Sequence, residues 1–450
     1  MPADAAGNLS PRGTDVISTR LAAYLANRGI HYGWVVAGTT FLAMLATSGA
    51  MGAPGVMIAP LQHEFGWQNA DISSAMAVRL LLFGLMGPFA AALMNRFGIK
   101  RVVTVALLLI AGGILGSFVM TQLWQLVLFW GVVIGIGTGM TALVLGATVA
   151  TRWFSKRRGL VVGLMTASNA TGQLVFLPLL AELTTRFGWR TALFVVAIML
   201  LAAMSLVLLL IRDRPSDVGL APFGDDGPAW APEAAPVHGL RTLLISPIAA
   251  LRESARSRTF WILFGTFFVC GLSTNGLIQT HWITLCGDFG VAPVGAAGML
   301  AVIGVFDFIG TILSGWLSDR FDNRWLLFWY YGLRGLSLLY LPFTDFSLYG
   351  LSLFLMFYGL DWVATVPPTV RLAADRFGTE RANLTFGWIF AGHQLGAATA
   401  AFGAGAIRTL TGTYLPSLYV AGAFCLLAAL LAISIGRRRS GSEAILAQAS

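Results

Sequence analysis

The chain has 450 residues, of which 57% are hydrophobic and only 11% charged, with a formal net charge of +9. The apolar residues fall in repeated blocks of about twenty, the length that spans a bilayer core, which excludes an ordinary soluble domain. The basic residues collect in short segments between those blocks, which excludes nucleic acid as the reason for the positive charge.

Taken in order, residues 1–30 carry Arg12, Arg20 and Arg28 ahead of a full-length apolar block. No short hydrophobic core with a small-residue cleavage site precedes that block, so we expect a cytoplasmic tail rather than a cleaved signal. Apolar blocks then lie at roughly 33–60, 72–94, 102–122, 126–151, 159–181, 190–211, 260–283, 294–318, 325–343, 346–368, 383–407 and 415–435, and predict twelve transmembrane helices. The fold class is therefore an all-α polytopic membrane protein. A first six-helix half is expected over 31–212, a cytoplasmic linker over 213–258, a second six-helix half over 259–436 and a cytoplasmic tail over 437–450. The linker is rich in Pro, Gly and Ala and too short to build a core. Within it, Leu240–Arg258 reads either as an amphipathic helix on the inner membrane surface or as a solvated connector. With both termini inside, 24 of the 29 Lys and Arg fall on inner segments, which orients a multi-pass protein of the inner (plasma) membrane. Cys270, Cys286 and Cys425 are scattered, which supports neither a disulfide framework nor a metal site.

One constant shift of 224 residues aligns several segments of the two halves without gaps. It carries Leu61, Phe65 and Gly66 onto Leu285, Phe289 and Gly290, and Arg96 and Lys100 onto Arg320 and Arg324. It also carries Arg152, Arg157, Gly163 and Gly172 onto Arg376, Arg381, Gly387 and Gly396. Six helices per copy, an even number, make these parallel repeats.

The stretch GVFDFIGTILSGWLSDRFDNR, from Gly304 to Arg324, is an apolar helix with one acid, Asp307, deep in its length. Its layout and its charged end resemble the major facilitator superfamily, whose signature between helices 2 and 3 recurs between helices 8 and 9. Gly315, Asp319, Arg320 and Arg324 match that signature in the second half. The first copy keeps Arg96, Gly98, Lys100 and Arg101, with Ala91 and Asn95 where the family has Gly and Asp. These residues are accordingly expected to form the gating motif. HYGWVV at 31–36, PLQHEFGWQNADIS at 60–73 and TRWFSKRRGLVVGLMTASNATG at 151–172 look most like the monocarboxylate-porter and oxalate:formate-antiporter group.

Charges inside the spans are functional candidates by default, because hydrocarbon penalises them. The helical rise puts Asp307 about 18 Å, and Arg334 and Asp361 about 15 Å, from the inner surface, close to one level. Arg334 is expected to contact Asp307 or Asp361. That network either couples transport to a proton or locks helices 8, 9 and 10 together. Monocarboxylate porters resemble this pattern in placing an acid on helix 8 and an arginine one turn later, where this chain has Thr311. Arg79, about 10 Å from the outer surface by the same rise, either attracts an organic anion or snorkels to the interface.

Helices 1 and 7 carry matching small-residue stretches, Ser48–Gly55 and Gly271–Gly276, which read as helix breaks at a substrate site or as close packing. Ser273, Thr274 and Asn275 are expected to line the cavity. Helix 5 offers Asn169 and Gln173, and the repeat sets Asn169 against His393, with Gln394 beside it. His393 either binds a proton or anion or hydrogen-bonds a neighbouring helix, and His281 is a further candidate for the same work. Trp362, Trp388 and Phe390 are expected to form an aromatic wall or to pack as core. Pro367 and Pro368 are expected to end helix 10.

No Gly-rich phosphate loop, metal-ligand spacing or nucleophile-base pair is visible, so neither an enzyme nor a cofactor or metal is expected. The reading is a secondary active transporter that moves a small organic anion, monocarboxylate-like, with a proton by alternating access. Proton-driven efflux of amphipathic or cationic compounds is the alternative, because Asp307 and Asp361 against one deep arginine leave a negative midplane. A transporter-like membrane sensor is a third. The expected partners are a small-molecule substrate, a proton and the lipid bilayer, with the chain acting as a monomer.

Overall fold

The computed structural model describes residues 15–225, 240–377 and 379–436. Residues 1–14 of the expected tail 1–30, the expected tail 437–450 and the linker stretch 226–239 lie outside the described residues. A short helix α1 (Asp15–Ala26) precedes the first half, which comprises α2 (Gly33–Phe65), α3 (Asn69–Phe97), α4 (Ile99–Gly116), α5 (Leu123–Trp153), α6 (Arg158–Phe187) and α7 (Trp189–Leu210). After α8 (Leu240–Ser254) come α9 (Arg258–Asp288), α10 (Pro293–Ser318), α11 (Asn323–Tyr340), α12 (Leu348–Phe377), α13 (Thr379–Thr411) and α14 (Leu415–Ile433). Among the described residues nine helices are long and apolar enough to cross a membrane.

The repeat is visible in the backbone. Gly66 and Gly290 cap their helices with φ of 69° and 79°, and Gly188 and Gly412 turn the chain with φ of 82° and 77°. Those left-handed values are open to glycine without a Cβ clash, which explains why the 224-residue shift preserves these four. In each half an arginine then ties down the acid near the end of the first long helix. Arg190 holds Glu64 at 2.6 Å and Arg408 holds Asp288 at 2.6 Å.

Between the helices, small residues permit backbone contact, the packing expected where lipid leaves no hydrophobic drive for helix association. Gly172 of α6 sits on Ser48 of α2, Gly271 and Gly276 of α9 on the backbone of α13, and Gly310 of α10 on the Leu360 carbonyl of α12.

Four expectations change. The Ser48–Gly55 stretch does not break: α2 runs helical through Pro54 and Pro60. In α9 the irregularity is a π-helical widening over Leu272–Gln279, inside a continuous helix. Pro367 and Pro368 do not end helix 10. The break precedes them, as a turn over 362–365, and they sit in the first turn of the resumed helix at Val366–Phe377. Two missing N–H groups cost little there, because the first turn has no intrahelical acceptors for them. Lastly, the two ends of the linker are docked against the bundle. Phe223 N donates to Trp153 O at 2.8 Å, and His31 Nε2 bonds Ala221 O at 2.9 Å. At the other end, Trp388 Nε1 donates to Pro247 O of α8 at 2.7 Å, so Trp388 anchors the linker helix instead of walling a cavity.

Close packing at Gly310 yields a stability test. Gly310→Ala should destabilise the protein by about 1–3 kcal/mol through overpacking. Gly298→Ala, on the same helix facing open space, should be neutral or slightly stabilising. Thermal unfolding in detergent measures both, and equal melting temperatures would refute the packing account.

Candidate functional site: a central cavity with a charged wall

Both halves contribute to a cavity of about 310 Å³ at the centre of the bundle. Its first-half wall includes Met44, Thr47, Ser48 and Met51 of α2, Phe83 of α3, and Thr138 and Thr141 of α5. Its second-half wall includes Cys270, Thr274 and Asn275 of α9, Asp307 and Thr311 of α10, and Trp362 of α12. Phe390, His393 and Gln394 of α13 complete it. The hydroxyls bond carbonyls of their own helices, as in Thr47 to Ala43 at 3.0 Å and Thr138 to Ile134 at 2.8 Å, which is how such groups survive in apolar surroundings. The wall is thus mostly apolar, with threonine hydroxyls that are already satisfied, while Gln394 Oε1 is buried with no partner among the described residues.

The lining reaches Gly163 and Ile312, each within about two turns of a helix end on the side that holds the linker. At the far end the halves are sealed. Asn69 Nδ2 donates to Tyr414 Oη at 2.8 Å, and Ala70 N to Thr409 Oγ1 at 3.2 Å. His281 belongs to this seal and not to the cavity, contrary to the sequence expectation. Its Nε2 meets the Ala401 carbonyl at 2.9 Å and its Nδ1 meets Tyr414 Oη at 3.1 Å. A carbonyl only accepts, so Nε2 carries the proton and Nδ1 accepts from the tyrosine.

The charge network resolves into a pair and a single acid. Arg334 Nε bonds Asp361 Oδ2 at 2.6 Å, and both side chains are nearly inaccessible. The guanidinium also donates to Cys270 Sγ at 3.0 Å, Asp361 O at 2.5 Å and Trp362 O at 3.2 Å. Those two carbonyls lie where α12 breaks, so the arginine supplies donors that the broken helix no longer provides. Asp307 stands apart on the cavity wall. Its Oδ1 accepts from Thr311 Oγ1 at 3.1 Å and from Val363 N at 3.0 Å, again at the break in α12. Thr311 thus spends its hydroxyl on Asp307.

Other expected residues are distributed as follows. Thr274, Asn275, His393 and Gln394 line the cavity, and Gln394 Nε2 contacts His393 Nδ1 at 3.2 Å. Ser273 is buried behind the wall, bonded to Val269 O at 2.9 Å and receiving Arg334 at 3.4 Å. The side chains of Asn169 and Gln173 lie outside those described. Arg79 neither lines the central cavity nor snorkels. It is 6% exposed, and Nη1 donates to Met51 O at 2.9 Å and Ala50 O at 3.3 Å.

In the signature segments, Asp319 pairs with Arg371 at 2.7 Å, while Arg320 lies over the Trp316 ring and Arg324 bonds Asp322. In the first copy Asn95 Oδ1 accepts from Arg152 Nη2 at 2.7 Å, so the arginine is held by a neutral amide and not by a carboxylate. Gly98 turns at φ 87°, Lys100 N donates to Asp213 Oδ1 at 2.9 Å, and Arg96 and Arg101 are exposed.

The Major Facilitator Superfamily model matches residues 39–360 and 281–449. The chain belongs to that superfamily. This facilitator is 27% identical over 398 residues to monocarboxylate transporter 13 of Rattus norvegicus, covering 88% of this chain and 87% of the relative. It is 31% identical over 293 residues to monocarboxylate transporter 11 of Homo sapiens, covering 64% and 57%. An uncharacterized MFS-type transporter of Bacillus subtilis is 24% identical over 387 residues, covering 85% and 90%. Among solved structures, a bacterial homologue of the human lysosomal transporter Spinster superposes with a TM-score of 0.69 at 14% identity, over 90% of this chain and 96% of that one. A D-xylose-proton symporter superposes with a TM-score of 0.65 at 15% identity, over 89% and 97%. The facilitator is therefore a secondary transporter close to the monocarboxylate group and not an enzyme, and these low-identity neighbours support its fold alone.

Cys270, Thr47, Thr138 and Thr141 were not singled out from the sequence as lining residues, and Ser48 only as part of the Ser48–Gly55 stretch. The signal was small polar residues three or four apart on apolar helices, which place hydroxyls on one face. For the charge pair, Asp361→Asn should destabilise the facilitator by about 3–5 kcal/mol, because it leaves Arg334 buried beside a neutral group. Asp307→Asn keeps an acceptor for Val363 N and should cost much less. Detergent melting curves of the two variants check the order, and an Asp307→Asn variant as unstable as Asp361→Asn would contradict it.

Proposed function

We propose that this facilitator moves a small organic anion, monocarboxylate-like, together with a proton, by alternating access of the central cavity. The observation that carries the reading is the division of labour among the deep charges. Arg334 and Asp361 neutralise each other, and Asp307, with no arginine or lysine hydrogen-bonded to it among the described residues, stands on the cavity wall. A lone carboxylate in a cavity that alternates between water and seal is suited to take a proton on one side and give it up on the other. A protonated Asp307 also removes the repulsion that an anionic substrate would meet. The names of the monocarboxylate-transporter relatives support the substrate class. The cavity opens towards the linker, so with both termini cytoplasmic in the inner membrane the described state faces inward. Asp307, His393, Gln394, Thr274 and Asn275 form the substrate and proton site. Gly315, Asp319, Arg320 and Arg324, with Arg96, Gly98, Lys100 and Arg101, form the gate of the cytoplasmic side.

One observation favours the alternative of efflux. The wall carries Met44, Met51, Phe83, Phe267, Trp362 and Phe390, a surface that suits an amphipathic cargo.

Proteoliposomes distinguish the two. Labelled lactate or pyruvate should accumulate against its gradient under an imposed pH gradient, and Asp307→Asn should abolish accumulation while preserving exchange. Accumulation of a lipophilic cation, with no movement of any small carboxylate, would assign the cavity to efflux. Unchanged accumulation in Asp307→Asn would remove the aspartate from coupling.

A further inference from the structure

Pro54 lies inside α2 and has no N–H, so the carbonyl four residues earlier, Ala50 O, lacks its helical donor. Arg79 Nη1, reaching across from α3, donates to Ala50 O at 3.3 Å and to Met51 O at 2.9 Å. Capping a carbonyl explains a donor but not a charge. A neutral amide or hydroxyl would supply the same bond without the cost of burying a cation, which is several kcal/mol. Arg79 is 6% exposed, its Nε is buried with no partner, and no carboxylate among the described residues pairs with it.

The place of this cation is informative. Arg79, Asn275 and Gln279 line a small pocket between α2, α3 and α9. Met51 and Asn275 line both that pocket and the central cavity, so the pocket is the next station towards the sealed end. Just there α2 and α9 close on each other: a Cβ built on Gly55 would stand 2.9 Å from the Gln279 carbonyl. Opening the far end parts this contact together with the Asn69–Tyr414 and Ala70–Thr409 bonds, and parting it uncovers the guanidinium on the pathway.

We propose that Arg79 is the carboxylate-binding residue of the far-end half of the pathway. In the sealed state it is stored on Ala50 O, which Pro54 leaves free, and on the neighbouring Met51 O; with α2 and α9 apart it exchanges them for the substrate carboxylate. The anion is then delivered past Met51 and Asn275 to the central cavity. This inference rests on the monocarboxylate reading above and adds to it the residue that recognises the negative charge. It also answers how a cavity whose own free charge is an acid can accept an anion: the countercharge lies one station away.

The test separates storage from recognition. Pro54→Ala restores the N–H that Ala50 O lacks, so in that background Arg79 is no longer needed as a cap. Labelled pyruvate uptake into proteoliposomes is measured for the wild type, P54A, P54A/R79Q and P54A/R79K, alongside detergent melting curves. The proposal expects P54A/R79Q to melt like P54A yet to lose uptake, or to raise KM by about 10- to 100-fold, the range of a hydrogen bond to a charged group. P54A/R79K, which keeps the charge, should lie between. P54A/R79M replaces the side chain by an apolar one of similar length, so that any fold defect of a buried amide is avoided, and should lose uptake as well. Uptake in P54A/R79Q and P54A/R79M with the KM of P54A would overturn the proposal and leave Arg79 a helix cap. A wild type that moves no small carboxylate at all would instead overturn the transport reading, and this inference with it.

Discussion

A charge surrounded by hydrocarbon must be compensated, and in this molecule that constraint organises the interior. Arg334 and Asp361 meet it as an ion pair at 2.6 Å with almost no access to solvent. Because that pair is complete, it draws α11 and α12 together and leaves the neighbouring acid, Asp307, to the cavity. Had Arg334 paired with Asp307 instead, the wall would be neutral and Asp361 would be the orphan. The choice of partner therefore decides which carboxylate is held in an ion pair and which lines the cavity.

A second device recurs: irregular backbone is placed where a side chain from another helix can satisfy it. The break in α12 frees the carbonyls of Asp361 and Trp362 for Arg334, gives the Ala364 carbonyl to Ser314 at 2.5 Å, and points the Val363 amide at Asp307. The π-helical widening of α9 offers the Ser273 carbonyl to Tyr358 at 2.6 Å. Pro54 frees Ala50 O for Arg79. Each irregularity lies beside the cavity or the seal and joins two helices, so a motion of one element is felt by its partner through a short polar contact. The linker adds a tie across the outside, through Pro247 and Trp388, that holds the end of the second half.

Much of this was legible in the sequence, for physical reasons. Length and apolarity revealed the spans, and the 224-residue shift revealed the repeat, because left-handed turns at Gly66, Gly188, Gly290 and Gly412 tolerate little but glycine. That Arg334 and Asp361 share a level followed from helical rise alone. The pairing did not, since rise gives level but not the direction in which a side chain points. The same limit hid the fate of Arg79, which depth alone leaves free to snorkel or to enter the cavity. Helix breaks were the least legible. Proline removes a donor wherever it stands, but whether the helix stops, widens or continues depends on who satisfies the carbonyl. At Pro54 the answer is an arginine on another helix, and at Pro367 and Pro368 it is the displacement of the break to 362–365. Trp388 and His281 were misplaced for a related reason: an amphipathic ring suits a cavity, a seal or a linker equally well until its partner is known.

The measurement that bears most directly on Asp307 as the coupling acid is proton movement itself. In lightly buffered proteoliposomes carrying a trapped pH indicator, an imposed inward gradient of pyruvate should acidify the lumen as a proton enters with each carboxylate. In Asp307→Asn the labelled acid should still exchange without that acidification. Acidification of equal size in wild type and variant would contradict the assignment and return Asp307 to the role of a structural pin between α10 and α12.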